Sequence, residues 1–144
     1  MAIEWPVAPN SSAMTVQVLD NTTAPANILD AGLATTIRIN WTIPPPHNAT
    51  LGGSFRLRAY AESIGPGQEV QLGNTLNVPV VPGQANYTGD IALPGSTLLG
   101  EGELFGGVPV SGIYKIIAVL QHLNPGATEV SGFAEASIRM FRTP

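Results

Sequence analysis

Residues 35–43 read Thr-Thr-Ile-Arg-Ile-Asn-Trp-Thr-Ile, and no other stretch of the 144-residue chain constrains its fold so tightly. Side chains of an extended strand point alternately to two faces, so Ile37, Ile39, Trp41 and Ile43 fall on one side and Thr36, Arg38, Asn40 and Thr42 on the other. A helix would scatter the same apolar groups around its circumference. The segment is therefore a half-buried strand, and its period of two recurs along the chain. Met14, Val16 and Val18 alternate with Thr15 and Gln17, and Phe55, Leu57, Ala59 and Ala61 form another inner set. Tyr87, Gly89, Ile91 and Leu93 alternate with Thr88, Asp90 and Ala92. Val70–Leu72 and Leu76–Val80 predict two short strands toward a sheet edge, where Pro79 is tolerated because no neighbour needs its missing N–H. Ile113 to Leu123 is almost continuously apolar, and Phe133 to Arg142 alternates as one last strand.

Turn chemistry separates these segments. Asp20-Asn21, Pro44-Pro45-Pro46 with Gly52-Gly53, Gly65-Pro66-Gly67 and Asn124-Pro125-Gly126 all fall between alternating runs, where proline ends a ladder and glycine permits reversal. The 16 glycines and 13 prolines have no collagen period, so they mark frequent turns. Pro94 to Gly107 holds five glycines and no period, which predicts a long loop. No stretch sustains a 3.6-residue period. The expected fold is all-β, a single disulfide-free β-sandwich of about seven to nine antiparallel strands rather than a barrel or βαβ unit. Residues 1–13 show no period and read as an N-terminal arm carrying Trp5; the domain runs over 14–144.

Composition narrows the function classes. A length of 144 residues is one domain's worth, and 44% apolar against 11% charged residues is enough to fold. A net charge of −4 disfavours nucleic acid, whose binding rests on phosphate neutralisation. The absence of cysteine removes a disulfide scaffold, a thiolate zinc site and a cysteine nucleophile together. Met1-Ala2-Ile3-Glu4-Trp5-Pro6 has an acid where a signal peptide wants a base, and Ile116–Leu120 is far too short to cross a bilayer as a helix. Cytoplasmic synthesis without membrane insertion is expected, compatible with incorporation into an exported or extracellular assembly. Asn10, Asn21, Asn40, Asn48 and Asn86 stand in Asn-x-Ser/Thr, which means glycosylation only after export; a Thr-rich β-protein yields the same motif.

Val110-Ser111-Gly112-Ile113-Tyr114-Lys115-Ile116 is similar to the Ser-Gly-x-Tyr-x-Cys entry into strand F of immunoglobulin-like domains, with Ile116 in the cysteine's place. Tyr87-x-x-x-Ile91-x-Leu93 resembles strand E. The lettering then runs A from Met14, B over 35–43, C from Phe55, F over 113–123 and G over 133–142. The resemblance implies a tyrosine corner, the Tyr114 hydroxyl bonding back to nearby backbone, and a buried Trp41. The missing cysteine pair, Trp41 on the second strand and the long loop after Leu93 place the likeness nearer the fibronectin type III or bacterial immunoglobulin-like kind. It implies a fold used mostly for binding and assembly, and a fold by itself does not give a function.

Groups for catalysis are scarce. His47 follows three prolines, and His122 ends strand F, so a shared triad or metal would need a coincidence of folding. Glu101 and Glu103 among glycines would bind a hard cation only with a third oxygen; a mobile acidic loop explains them as well. Asp20, Asp30 and Asp90 read as turn residues. The expectation is no enzyme, no cofactor and no metal.

The alternation of strands C, F and G leaves an unusual outer face. With Ile116 inward, Ile113, Lys115, Ile117 and Val119 point out; strand C adds Arg56, Arg58 and Tyr60, and strand G adds Phe133, Arg139 and Phe141. Arginine and aromatics with apolar neighbours are the composition of interface centres. The reading is a protein-interaction face on C-F-G together with Trp5 of the arm. Its partner is another protein or a second copy, in a homo-oligomer or a larger assembly such as a virion, appendage or injection-machine accessory. Cover by the 94–109 loop or the arm within one chain is the other explanation of that face. A carbohydrate-binding or adhesive domain, with Tyr60, Tyr87 or Trp5 as platform, is the alternative function.

Overall fold

The alternating segments become strands, as their period requires. The computed structural model describes residues 2–4, 11–43, 52–123, 128–135 and 139–143, with the backbone alone for 2–4, 11–13 and 128–135. The fold is all-β. Its strands are β1 (Ala2–Glu4), β2 (Ser11–Leu19), β3 (Ile28–Asp30), β4 (Thr35–Thr42), β5 (Ser54–Ser63), β6 (Glu69–Pro79), β7 (Asn86–Leu93), β8 (Leu104–Phe105), β9 (Val108–Pro109), β10 (Ile113–Leu123), β11 (Thr128–Glu135) and β12 (Arg139–Arg142).

Strand β4 is the centre of one ladder, antiparallel to β2 through Met14↔Trp41 to Leu19↔Thr36 and to β7 through Thr35↔Leu93 to Thr42↔Asn86. Strand β10 is the centre of the other. It pairs antiparallel with β5 over its whole length, Tyr114↔Ser63 to Leu123↔Ser54, and β5 pairs with β6. The opposite edge of β10 takes β11 and then β12, and β12 runs parallel to β3.

The inner faces of these ladders meet in one core. Ile37, Ile39 and Trp41 of β4 are buried with Tyr87, Ile91 and Leu93 of β7, Phe55, Leu57 and Ala59 of β5, and Tyr114, Ile116, Ala118 and Leu120 of β10. Trp41 stacks on Tyr87 at 5.5 Å and meets the Phe55 ring edge-on at 5.4 Å, so three aromatic rings tie β4 and β7 to β5. At Gly89 the two ladders approach closely: a Cβ there would lie 2.5 Å from Leu57 Cδ1 and 2.9 Å from Leu76 Cδ2. Only glycine fits the inward position of β7 without displacing two leucines.

Four features differ from the sequence reading. Ala2–Glu4, expected to lie in an arm, forms β1 between β2 and β11 of the same chain, and β2 begins at Ser11. A three-residue segment is too short to display a period, and its partners are remote in sequence. The two short strands after Gly67 are one, β6, whose register with β5 shifts between Leu57↔Leu76 and Ala59↔Leu72. Two additional β6 residues are absorbed there beside Gly73, whose φ is +62°. The 94–109 loop contains a small hairpin, β8–β9, turning through Gly106 (φ 60°) and Gly107 (φ 83°).

The fourth difference concerns the last strand, which is two strands in different registers. Ile117↔Glu135 to His122↔Val130 hold one register, and continued it would bring residue 138 opposite Tyr114. Arg139 is there instead. One extra residue reverses which side chains point inward beyond it. Phe141, expected on the outer face, is accordingly buried, its ring edge-on to Tyr114 at 5.6 Å.

Candidate interaction face

Two outer surfaces of the same fold can be compared directly. Outside the β2–β4–β7 ladder the side chains that reach the surface are Thr15, Gln17, Thr36, Arg38, Asn40, Thr42, Asn86, Thr88, Asp90 and Ala92, without one large apolar group, and Leu19, which register sets opposite Thr36, is buried. Their polar groups serve one another: Arg38 holds both oxygens of Asp90 at 2.9 and 3.0 Å, which raises the guanidinium pKa, and Thr88 Oγ1 donates to Asn40 Oδ1 at 2.7 Å. That is a surface made for water.

The outer surface of β5 and β10 is built differently. Cross-strand register sets Tyr60 beside Ile117, Arg58 beside Val119, Arg56 beside Gln121 and Glu62 beside Lys115. Paired residues share a face, so these side chains form four successive rows. All but Glu62 are half-buried. Gln121 Oε1 accepts from Arg56 Nε at 3.1 Å and Nη2 at 2.6 Å, which ties that guanidinium to β10. On the β6 side the rows continue as Glu69 opposite Glu62 and Gln71 opposite Tyr60. A shallow groove of about 340 Å³ runs there between Tyr60, Glu62, Glu69, Gln71 and Ile117.

Of the residues expected on this face, the structure brings Arg56, Arg58, Tyr60, Ile113, Lys115, Ile117 and Val119 together on one side of β5–β10. Phe133 occupies the register position opposite Val119 on β11, and its side chain lies outside the described residues. Arg139 does not join the face: it is paired with Tyr114, on the inward phase shared with Phe141, and burial pushes its guanidinium pKa down. Trp5 lies outside the described residues, as does His47. Glu62, Glu69 and Gln71 belong to the face and were not read from the sequence, although the position of Glu62 follows from the period that marked Arg56, Arg58 and Tyr60.

A second surface was missed altogether. Among the described residues seven large apolar side chains are well exposed, and six of them (Ile28, Leu33, Ile64, Leu104, Phe105 and Val108) lie in the segments at the end of the fold where β2, β5 and β7 finish and β10 begins. The β8–β9 hairpin carries half of these, with Leu104 64% exposed. A Gly-Gly pair between Leu104-Phe105 and Val108-Pro109 is a hairpin signal and was the available clue.

Residues considered for chemistry have structural work. The Tyr114 hydroxyl donates to the Leu99 carbonyl at 2.8 Å, the backbone bond expected of it. His122 is fully buried against Phe55, and its Nε2–H donates to the Gly52 carbonyl at 2.6 Å. Glu103 Oε1 accepts from the Gly100 N–H at 3.2 Å, and Glu101 pairs with Arg142 at 3.4 Å. Asp20 accepts from Thr22 Oγ1 and from the amides of Thr22 and Ala24, and these bonds hold its pKa below the usual aspartate value. Asp30 accepts from the Gly32 amide. No protein-family model matches this chain, and no curated protein matches it significantly.

Proposed function

We propose that this chain is a non-enzymatic structural or protein-interaction module of immunoglobulin-like β-sandwich build, working as a homo-oligomer or as a subunit of a larger assembly such as a virion, appendage or injection-machine accessory. The build is supported by strand order: β2, β4 and β7 take the places of A, B and E, while β6, β5 and β10, with β11 and β12, take those of C′, C, F and G. The observation that carries the functional reading is the contrast between the two outer surfaces. One exposes no large apolar side chain among the described residues; the other carries Ile113, Ile117, Val119 and Tyr60 among arginines. Covering such side chains with a partner gains about 25 cal/mol for each Å² of apolar surface removed from water, which the polar surface does not offer. The arm contributes less than its sequence promised, because Ala2–Glu4 is paired within its own chain.

Light scattering across a dilution series tests the reading. A mass above 15.0 kDa that falls on dilution, and that Ile117→Asp returns to 15.0 kDa with an unchanged circular dichroism spectrum, is the expected result. A complex of the same mass and affinity in Ile117→Asp refutes it. A second reading, a carbohydrate-binding or adhesive domain, is favoured by the groove where the Tyr60 ring is flanked by Glu62, Glu69 and Gln71. Glycan binding abolished by Tyr60→Ala without change in mass would select it.

A further inference from the structure

The charge on the β5–β10 face is graded along the strands. Glu62 and Glu69 stand directly opposite each other at the end of β5 that leads into the 64–68 turn. Arg58 and Arg56 lie on the same face toward the other end of β5, and the Tyr60–Ile117 row separates the two groups. Each row is about 6.6 Å from the next, so Arg58 and Glu62 are roughly 13 Å apart, too far to pair within one chain. Among the described residues the side chains of Arg58, Glu62 and Glu69 make neither an ion pair nor a hydrogen bond. Like charges directly opposite on a ladder, as Glu62 and Glu69 are, destabilise it.

This gradient has one symmetric complement. We infer that the occupant of the face is a second copy of this chain, docked face to face with its strands antiparallel, about a two-fold axis that lies in the interface across β5 and β10 near the Tyr60–Ile117 row. The inference rests on the proposed reading of this face as a self-association surface and specifies its geometry. A half-turn about that axis reverses strand direction, so Arg58 of each copy comes over Glu62 of the other and the same contact is made twice. Tyr60, Ile117 and Val119 of both copies fill the middle. An axis along the strands would set Arg58 and Arg56 against the arginine rows of the second copy. Three strands, β6, β5 and β10, about 4.8 Å apart and eight residues long give a footprint of about 380 Å² per copy, or about 760 Å² in all, the size of a weak, transient contact. The dimer is therefore reversible, sensitive to salt, and closed at two copies.

Charge reversal tests the orientation. Arg58→Glu and Glu62→Arg are substitutions on the outer face, and circular dichroism confirms that each variant is folded. Each alone weakens wild-type dimerisation at least tenfold by sedimentation equilibrium, because an attraction made twice becomes a repulsion made twice. The double variant R58E/E62R returns to within about threefold of wild type, and an equimolar mixture of the two single variants forms a heterodimer although neither associates alone. If both single variants weaken association but neither the double variant nor the mixture restores it, the two-fold orientation is wrong while the face remains the contact. If Ile117→Asp dissociates the dimer and the charge reversals leave it unchanged, the inference is likewise overturned and the proposed reading stands. A wild-type chain that stays monomeric at millimolar concentration overturns the inference, and the proposed reading then falls only if no other protein binds the face.

Discussion

Replacing Tyr114 with phenylalanine removes one oxygen at the end of the core where β10 begins and keeps the rest of the ring. The ring is fully buried and edge-on to Phe141, contacts that phenylalanine retains. What is lost is the 2.8 Å bond to the Leu99 carbonyl, which ties the start of the 94–112 loop to β10. A made hydrogen bond contributes about 1 kcal/mol net, and a carbonyl left dry without its donor adds up to about 2 more, so the change should cost roughly 1–3 kcal/mol. For a chain of this size that is a melting temperature lower by about 3–8 °C. The same residue sets an alkaline limit. Burial, the main cause, raises the Tyr114 pKa above its ordinary 10.0. The unfolded chain then loses this proton at lower pH than the folded chain, so the contribution is intact below pH about 10 and is lost as pH rises toward the folded value. Denaturant melts of both proteins at pH 7 and pH 11 measure the two effects. Wild type should lose more stability than Tyr114→Phe between these pH values. Equal stability at pH 7 would refute the anchoring role of the hydroxyl, and parallel alkaline losses would refute its burial as a neutral group.

Gly89→Ala places a Cβ 2.5 Å from Leu57 Cδ1, and overpacking of this kind should cost about 1–3 kcal/mol in a urea melt. Phe141→Ala should cost about 3–5 kcal/mol, as a buried aromatic does; a loss below about 1 kcal/mol would return Phe141 to the outer surface. Substituting Phe105 with serine on the exposed β8–β9 hairpin should change stability by less than about 0.5 kcal/mol, checked by the same melts. The Asp20 carboxyl should titrate below the ordinary 3.8 in an NMR pH series, and in Thr22→Val its value should rise, since the Thr22 hydroxyl bond is the largest cause of the shift.

Period two was a sufficient guide wherever a strand was long and had one buried side. Ile37, Ile39 and Trp41, or Phe55, Leu57 and Ala59, could not have faced any other way without exposing the core. The same signal failed at Phe141, and the reason is physical. Alternation reports phase only relative to neighbours, so one inserted residue between β11 and β12 inverts everything after it while the sequence still alternates. Ala2–Glu4 was illegible because its two partners, β2 and β11, are set by closure of the fold rather than by three residues of pattern. The interaction face was partly legible. Arg56, Arg58, Tyr60, Ile117 and Val119 follow from the periods of two strands once these pair. The placing of Glu69 opposite Glu62, by contrast, depends on register, which the turn at 64–68 sets.

Solution mass measures the proposed contact surface outside β5 and β10 most directly. Light scattering of wild type and Ile117→Asp over a dilution series at low and high salt should show a species of twice 15.0 kDa for wild type that dissociates on dilution and in salt, and 15.0 kDa throughout for the variant. An association in wild type that Ile117→Asp leaves intact would refute the proposed face, because the contact would then lie elsewhere on the chain.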